Sequence, residues 1–417
     1  MRAALWLLGL FGIAVAIALF AGNNQGTVTL FWPPWRVDLS LNLVLLVLVG
    51  AFVVLHLALG ALAALFDMPR QALRWRTQQK ERAMHASMLD AISNLLAGRF
   101  IRARKAAETA LGQERSLAAS GHAPANGAQL RTLAHVLAAE SAQSLQDRTA
   151  REEHLKQALE EGTSRDAQET REGALMRAAR WSLDDRDPEG AIGWLKELPL
   201  GAARRTLALR TRLKAARLAR QSEEALETAR LLSKHRAFSA SAAQSIVRGL
   251  ATDLLNGAHD AQQLQRTWLL LEPAERAMPE LAIHAAQRLV TLGGDVRIAR
   301  EWLLPVWEQH HKLGESLKVK LVRALETGLE DIEADWLARI EGAQRANPRD
   351  ATLQYLAGVA CMKRQLWGKA QQLMSQAAMG LQDVHLHRNA WRAVAQLAEQ
   401  RGDAQTAAQA WKRAATE

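Results

Sequence analysis

The sequence predicts an all-α protein with two N-terminal transmembrane helices followed by a long body of packed helix pairs. Three observations support this prediction: an uncharged run at Leu41–Phe66, a second apolar run at Ala3–Gly22, and recurrent Leu/Ala periodicity from about Thr77 to Glu417. Runs of β-branched residues are almost absent outside Leu41–Phe66, so no segment is available for a parallel sheet.

The first apolar run, Ala3–Gly22, is either a cleaved signal peptide or a retained transmembrane helix. A poor cleavage signal and the stop-transfer-like run that follows favour the retained helix. Between the two runs, Thr27–Asn42 predicts a short hairpin loop that could contain two brief strands. Trp32 and Trp35 stand where an aromatic belt would lie at the membrane surface.

The second apolar run, Leu41–Phe66, contains no formally charged side chain. At about 1.5 Å per residue it exceeds the ~30 Å hydrocarbon core, so it can cross a bilayer with some tilt. Its one ionisable residue, His56, lies near the middle, where such a group is costly and is therefore a candidate functional residue, either a ligand or a proton carrier. A neutral imidazole, hydrogen-bonded to the first span or to a second copy, is the favoured interpretation.

A basic cluster follows the second span directly, formed by Arg70, Arg74, Arg76, Lys80 and Arg82. Because Arg and Lys resist transfer across a membrane, the cluster predicts that this side is cytoplasmic. The expected topology is therefore a multi-pass membrane protein with both ends, and hence its body, in the cytoplasm. The same side chains suit anionic lipid headgroups, at ~1 kcal/mol each, which would use part of the net charge of +10.

The body is predicted to consist of repeats, most clearly in its last two units. In each unit a small residue on the first helix precedes an alanine on the second by twelve positions: Gly358 precedes Ala370, and Ala395 precedes Ala407. Small residues let paired helices approach closely. This is the spacing of tetratricopeptide (TPR) repeats and predicts a degenerate, right-handed α-solenoid of about nine helix pairs with a concave face for partners. Weaker copies of the anchor are Ala103, Ala191, Ala225 and Ala299.

The predicted organisation has four parts. A transmembrane hairpin covers residues 1–66, with spans at about 3–22 and 41–66, and a basic juxtamembrane segment covers 67–82. Degenerate repeats cover 83–346, and clearer C-terminal units cover 347–417 after the break at Asn347-Pro348.

The sequence lacks the common motifs for phosphate binding and for hydrolysis, so we expect no enzyme. The single cysteine, Cys361, excludes an intrachain disulfide and is expected to be a buried thiol. His310 and His311, and likewise His385 and His387, do not converge on one face of a helix, so surface or packing roles are expected for them rather than a metal site.

A second basic group, Arg210, Lys214, Arg217 and Arg220, has roughly helical spacing and is a candidate contact for an acidic partner or anionic lipid. A solvated helix face is the usual explanation of such a pattern. Nucleic acid is not expected as a partner because the interleaved aromatics of a stacking surface are missing. Whether the chain forms a homo-oligomer stays open.

Three stretches of the repeat region are the most informative for comparison with known families: HVLAAESAQSLQDRTAREEHLKQALEEG, QLQRTWLLLEPAERAMPELAIHAAQRLV and LAGVACMKRQLWGKA. With the two spans and the basic segment, they resemble the HemY family of proteobacterial inner-membrane TPR proteins associated with haem biosynthesis. The resemblance implies a protein of the bacterial inner (cytoplasmic) membrane that acts as a scaffold or regulator near the late haem-biosynthesis enzymes, with no catalytic residues to assign. One alternative is a haem- or porphyrin-binding carrier or sensor, with His56 or a groove histidine as the iron ligand. The other is a general envelope-assembly adaptor.

Overall fold

A computed structural model describes residues 11–19, 22, 25–330 and 332–416. The side chains of residues 63–65, 67, 69–71 and 416 lie outside this description. Residues 11–19 are helical, but most of the rest of the predicted span Ala3–Gly22 is outside the described residues. The first transmembrane helix therefore stays a prediction.

The described chain is almost entirely helical, which confirms the predicted helical class. Its one small sheet is an antiparallel pair, β1 (Thr27–Trp32) and β2 (Trp35–Ser40). The first helices are α1 (Leu41–Leu96), α2 (Phe100–Ala119), α3 (Gly127–Ser144), α4 (Arg148–Glu161), α5 (Gln168–Asp184), α6 (Pro188–Lys196) and α7 (Leu200–Ala203). The middle helices are α8 (Thr206–Leu218), α9 (Ser222–Lys234), α10 (Ala240–Asn256), α11 (Ala261–Leu270), α12 (Pro273–Arg276), α13 (Pro279–Thr291) and α14 (Val296–Glu308). The last helices are α15 (Glu315–Glu326), α16 (Ala334–Ala346), α17 (Ala351–Lys363), α18 (Trp367–Gly380), α19 (Val384–Gln400) and α20 (Ala404–Thr416).

The contacts divide the chain into two compact units, Met1–Arg171 and Glu172–Glu417. In the second unit one hydrophobic core extends from Leu209 to Ala410 and includes residues on both sides of Asn347-Pro348. The predicted boundaries after residues 66, 82 and 346 stay predictions.

Helix α1 is the dominant element of the first unit. The Ser40 hydroxyl accepts a hydrogen bond from the Leu43 amide at 3.3 Å, which caps the start of the helix. The helix then continues for 56 residues, about 84 Å, without interruption. The predicted basic segment 67–82 is therefore part of the same helix as the apolar run, and one continuous helix connects the apolar run to the body.

The two ends of α1 have different surroundings. In its first part, Leu41–Leu62, no residue is buried. Near its other end, Met84, Met88 and Ala91 are buried in a core that they share with α2 and α3. One helix is thus both an apolar extension and the first packed helix of the body.

The turns inside the helix pairs share one geometry. A residue with positive φ ends the first helix, and the next amide donates back to a carbonyl of the last helical turn, as Arg99 does to Asn94 at 2.8 Å and Asp403 does to Ala398 at 3.0 Å. This Schellman arrangement satisfies carbonyls that a helix end leaves unpaired. The positive-φ residues of these turns are Gly98, Gln146, Arg186, Arg220, Gly293, Gln365 and Gly402.

The alanine anchors of the predicted repeats are all buried. Five of them follow the positive-φ residue of their turn by five positions, and Ala299 follows Gly293 by six. The helical-repeat architecture is therefore confirmed, whereas the right-handed TPR solenoid stays a prediction. The six anchors are Ala103, Ala191, Ala225, Ala299, Ala370 and Ala407.

Gly358 lies at a close approach between α17 and α18 in the first C-terminal unit. A Cβ added there would lie 2.9 Å from the Met374 Cγ and 3.1 Å from its Sδ. We expect Gly358→Val to lower the free energy of unfolding by about 1–3 kcal/mol, because extra volume must displace a buried side chain. Thermal unfolding of the full chain in detergent, followed by circular dichroism, measures the change.

Gly342 provides the matched control for this substitution. It lies exposed inside α16, and an added Cβ would meet nothing within 4 Å. Gly342→Ala is expected to stabilise the protein by about 0.5–1 kcal/mol, because alanine loses less backbone entropy in a helix. Equal stability of Gly358→Val and the wild type would contradict the close approach.

Candidate functional site: an apolar helix and a basic groove

The apolar part of α1 is the first candidate functional feature. By length and composition, Leu41–Leu62 is the one helix of the described residues that could cross a membrane. None of this stretch is buried, so most of its apolar surface is left uncovered by the described chain. A soluble core helix passing the same composition test would be mostly covered.

His56 lies within this stretch and is exposed. Its ring stacks on Phe52, one turn earlier on the same helix, with ring centroids 6.4 Å apart. No group of three or more His, Cys, Asp or Glu side chains that could hold a metal occurs among the described residues. The assignment of His56 to a haem or porphyrin ligand stays a prediction.

The predicted lipid-contact residues lie further along α1. Arg74, Arg76 and Arg82 are exposed, and the Lys80 ammonium donates to the Ser116 hydroxyl of α2 at 3.1 Å. The side chain of Arg70 lies outside the described residues. The exposed cations therefore flank the apolar stretch on the side of the packed body, and their contact with headgroups stays a prediction.

The second candidate feature is a groove of about 450 Å³ in the second unit. Its polar side chains are Arg210, Lys214 and Arg217, one turn apart along α8. Leu213, Leu218 and Phe238 supply its apolar surface. The groove combines cations with exposed apolar groups, which suits an acidic partner segment that also carries apolar side chains.

Arg210 is held in place at one wall of this groove. Its guanidinium donates to the Ala237 carbonyl at 2.9 Å and lies 5.6 Å from the centre of the Phe238 ring. Lys214 and Arg217 are exposed, and no acidic partner faces either of them among the described residues. Two cations on one helix face are therefore available to an external anion.

Arg220, the fourth member of the predicted basic group, lies elsewhere. Helix α8 ends at Leu218, and Arg220 adopts a φ of 56° in the turn that follows. It lines a different, more polar groove of about 750 Å³, together with Glu223 and Asp253 among others. The helical spacing predicted that Arg220 shares a face with the other three cations. That prediction missed the end of the helix, because no glycine marks the turn in the sequence.

The other histidines and the cysteine have packing contacts, as expected. His310 stacks on Trp307 with ring centroids 4.9 Å apart, and the ring of His387 accepts a hydrogen bond from the Trp391 indole at 3.1 Å. His311 meets the His310 ring edge-on, and His385 lies 3.4 Å from the amide nitrogen of Asn389. Neither pair converges on a shared ligand position.

Cys361 is buried, which confirms the sequence-based expectation. Burial raises the pKa of its thiol, and the Glu341 carboxylate 3.9 Å away raises it further. Such a thiol is protonated at neutral pH and is a poor nucleophile.

A pair of histidines in the first unit, one buried and one half-buried, was not predicted. His135 of α3 and His154 of α4 have their Nδ1 atoms 3.0 Å apart, so one imidazole donates to the other. They are nineteen positions apart in the sequence and belong to no motif. Only the pairing of α3 with α4 brings them together.

These features define a helical-repeat protein with an exposed apolar helix at its N-terminal end. Residues 26–146 match the family model described as the HemY protein N-terminus. The match confirms the resemblance to the HemY family over these residues. No curated protein sequence matches the chain.

Several solved structures are similar to parts of the chain at low identity. Yeast Tom70 is 12% identical over 76% of this chain and 65% of that chain, with a TM-score of 0.29. The APC/C hetero-tetramer Cut9-Hcn1 is 13% identical over 80% of this chain and 66% of that chain, with a TM-score of 0.28. The P58(IPK) TPR domain is 12% identical over 76% of this chain and 99% of that chain, with a TM-score of 0.23. The chain spans just under two thirds of the length of the first two.

Proposed function

We propose that this protein is a membrane-anchored, non-catalytic scaffold or regulator of late haem biosynthesis, which binds partner proteins through its helical body. The observation that supports it most is the construction of α1, whose exposed apolar part continues into a buried part of the HemY N-terminal domain. A helix of this kind would hold the body at the membrane surface. Membrane-bound enzymes of the same pathway are then the natural partners.

The orientation follows from the charges on α1. The exposed cations Arg74, Arg76 and Arg82 would place the body on the cytoplasmic side of the inner membrane, and a first span over residues 3–22 would make the protein multi-pass. A reporter that works only in the cytoplasm is expected to be active when fused after Glu417, and a reporter that works only in the periplasm is expected to be inactive there. Activity of a periplasmic reporter at that position would contradict the orientation.

The groove formed by Arg210, Lys214 and Arg217 is the proposed partner contact. Its two unpaired cations favour an acidic segment, and the neighbouring apolar side chains would bury part of that segment. Charged groups at such a contact contribute to association rate and specificity, so reversal of their sign is expected to repel the same partner.

Crosslinking in living cells, followed by identification of the captured proteins, tests this proposal in normal and haem-limited growth. The wild type is expected to capture late haem-biosynthesis enzymes, and the double variant Lys214→Glu/Arg217→Glu is expected to capture several-fold less. The matched control is Lys320→Glu/Arg364→Glu, which reverses two exposed cations on or beside other helices of the same unit. Capture of no haem-biosynthesis protein by the wild type would refute the pathway assignment, and equal capture by both double variants would refute the groove.

A further inference from the structure

The hairpin β1–β2 has one face that is entirely apolar. In its register Val28 is opposite Leu39, Leu30 is opposite Val37, and Trp32 is opposite Trp35. Directly opposed residues share a face, and successive residues alternate, so these six side chains form one surface. Its tip is the most exposed part, with Trp32 76% and Trp35 73% exposed.

The opposite face of the hairpin is polar except for Phe31, which is 73% exposed and lies beneath the Arg36 guanidinium. It carries Thr27, Thr29, Asp38 and Ser40, and Arg36 lies 3.4 Å from Asp38 and 5.5 Å from the centre of the Phe31 ring. All formal charge of the hairpin is thus on this face and is paired within it. The apolar face can leave water without any charged group losing its solvation.

A two-stranded hairpin is marginally stable in water by itself, so its apolar face needs a cover. The chain continuity indicates which cover is available. Ser40 ends β2 and caps α1, and the Leu41 amide donates to the Gly26 carbonyl at 2.9 Å, so both ends of the hairpin lie at the first residue of the apolar stretch. If Leu41–Leu62 crosses the bilayer, the hairpin is at its boundary with water, where Trp side chains are favoured.

We propose that the hairpin Thr27–Ser40 is a membrane-surface contact whose apolar face lies on the lipid, with Trp32 and Trp35 among the headgroups. The inference rests on the membrane anchor of the proposed function. A lipid surface fits better than a protein that adds a strand, because strand addition uses the edges of a sheet and leaves its apolar face uncovered. The hairpin would fix the depth and rotation of α1, since it couples the start of the helix to the plane of the membrane.

Quenching by lipids brominated on their acyl chains tests the proposal in vesicles containing the full chain. Single cysteines labelled with a fluorescent bimane are placed at Leu30→Cys and Val37→Cys on the apolar face, and at Thr27→Cys and Thr29→Cys on the polar face. The native Cys361 is buried, and wild type treated with the same bimane reagent provides the background. We expect quenching several-fold stronger at positions 30 and 37 than at 27 and 29.

A probe at Val47→Cys, inside the apolar stretch, separates this inference from the anchor itself. Strong quenching at position 47 with equal quenching on the two hairpin faces would refute the hairpin contact and leave the anchor intact. Protection of positions 30 and 37 from a water-soluble thiol reagent without quenching by lipid would also refute it, because protein would then cover the face. Absence of quenching at position 47 would refute the anchor.

Discussion

Replacement of Arg230 by methionine is expected to lower the free energy of unfolding of the second unit by about 3–5 kcal/mol. The Arg230 guanidinium makes two hydrogen bonds to the Glu275 carboxylate, at 2.9 and 2.6 Å, and the Glu275 side chain is only 4% exposed. The hydrogen bond to Glu275 raises the pKa of Arg230. Without the cation, the buried Glu275 carboxylate loses two of its three hydrogen bonds, those from Arg230, and keeps the one from the Glu272 amide.

The same carboxylate also stabilises local structure, which adds to the expected loss. Glu275 accepts a hydrogen bond from the Glu272 amide at 2.8 Å in the capping box that starts α12. Arg230 in turn donates to the Leu270 carbonyl at the end of α11 at 3.1 Å. The ion pair therefore connects α9 to the α11–α12 turn, and thermal unfolding of the full chain in detergent should give a Tm about 10 °C lower.

Two further variants distinguish a lost ion pair from general damage. Arg248→Met removes a pair with Glu280 of similar length, 2.8 Å, in which both side chains are 40% exposed, so a loss of about 0–1 kcal/mol is expected. The double variant Arg230→Met/Glu275→Met leaves no buried charge and is expected to recover part of the stability lost by Arg230→Met. A double variant less stable than Arg230→Met would contradict this account.

The helix pairs could be predicted from the sequence because their anchors are local. Ala370 and Ala407 are both buried. Each packs within one helical hairpin, twelve positions after its small partner, and the geometry of a hairpin depends only on residues close in the sequence. The apolar stretch of α1 was predicted for the same reason. Its continuation into the body was not, because Pro69 at the start of the basic segment favours the end of a helix, whereas α1 continues through it.

The basic groove could be predicted only in part. Arg210, Lys214 and Arg217 share a face as their helical spacing indicates, whereas Arg220 leaves it because α8 ends earlier. The contribution of Phe238 comes from the segment after α9, and periodicity within one helix carries no information on which other segment lies beside it. The sequence therefore predicted that the helix exists, but it predicted neither where the helix ends nor which segment packs beside it.

The histidine pair of the first unit is expected to make stability depend on pH. His135 is 2% exposed, and burial, with lesser effects of His154 and Arg115, lowers its pKa from 6.5 to about 4. Burial also lowers the pKa of His154. Because the pKa is lower in the folded state than in the unfolded state, the unfolded chain binds more protons than the folded chain as the pH falls, and protonation favours unfolding. Stability should therefore be complete above about pH 6.5 and decline towards pH 4, by up to about 3 kcal/mol from His135.

Thermal unfolding of the full chain at a series of pH values between these limits measures the effect. His135→Asn keeps a polar side chain beside His154 but cannot titrate, so it should flatten the pH dependence relative to the wild type. His122→Asn is the control, because His122 is exposed and its Nδ1 lies 2.9 Å from the Ser120 carbonyl oxygen. Carboxylates that titrate in the same range affect the wild type and both variants alike. The difference between their pH dependences therefore reports the contribution of the buried His135 imidazole. An equal decline of stability in His135→Asn and His122→Asn would show that the pair has no part in it.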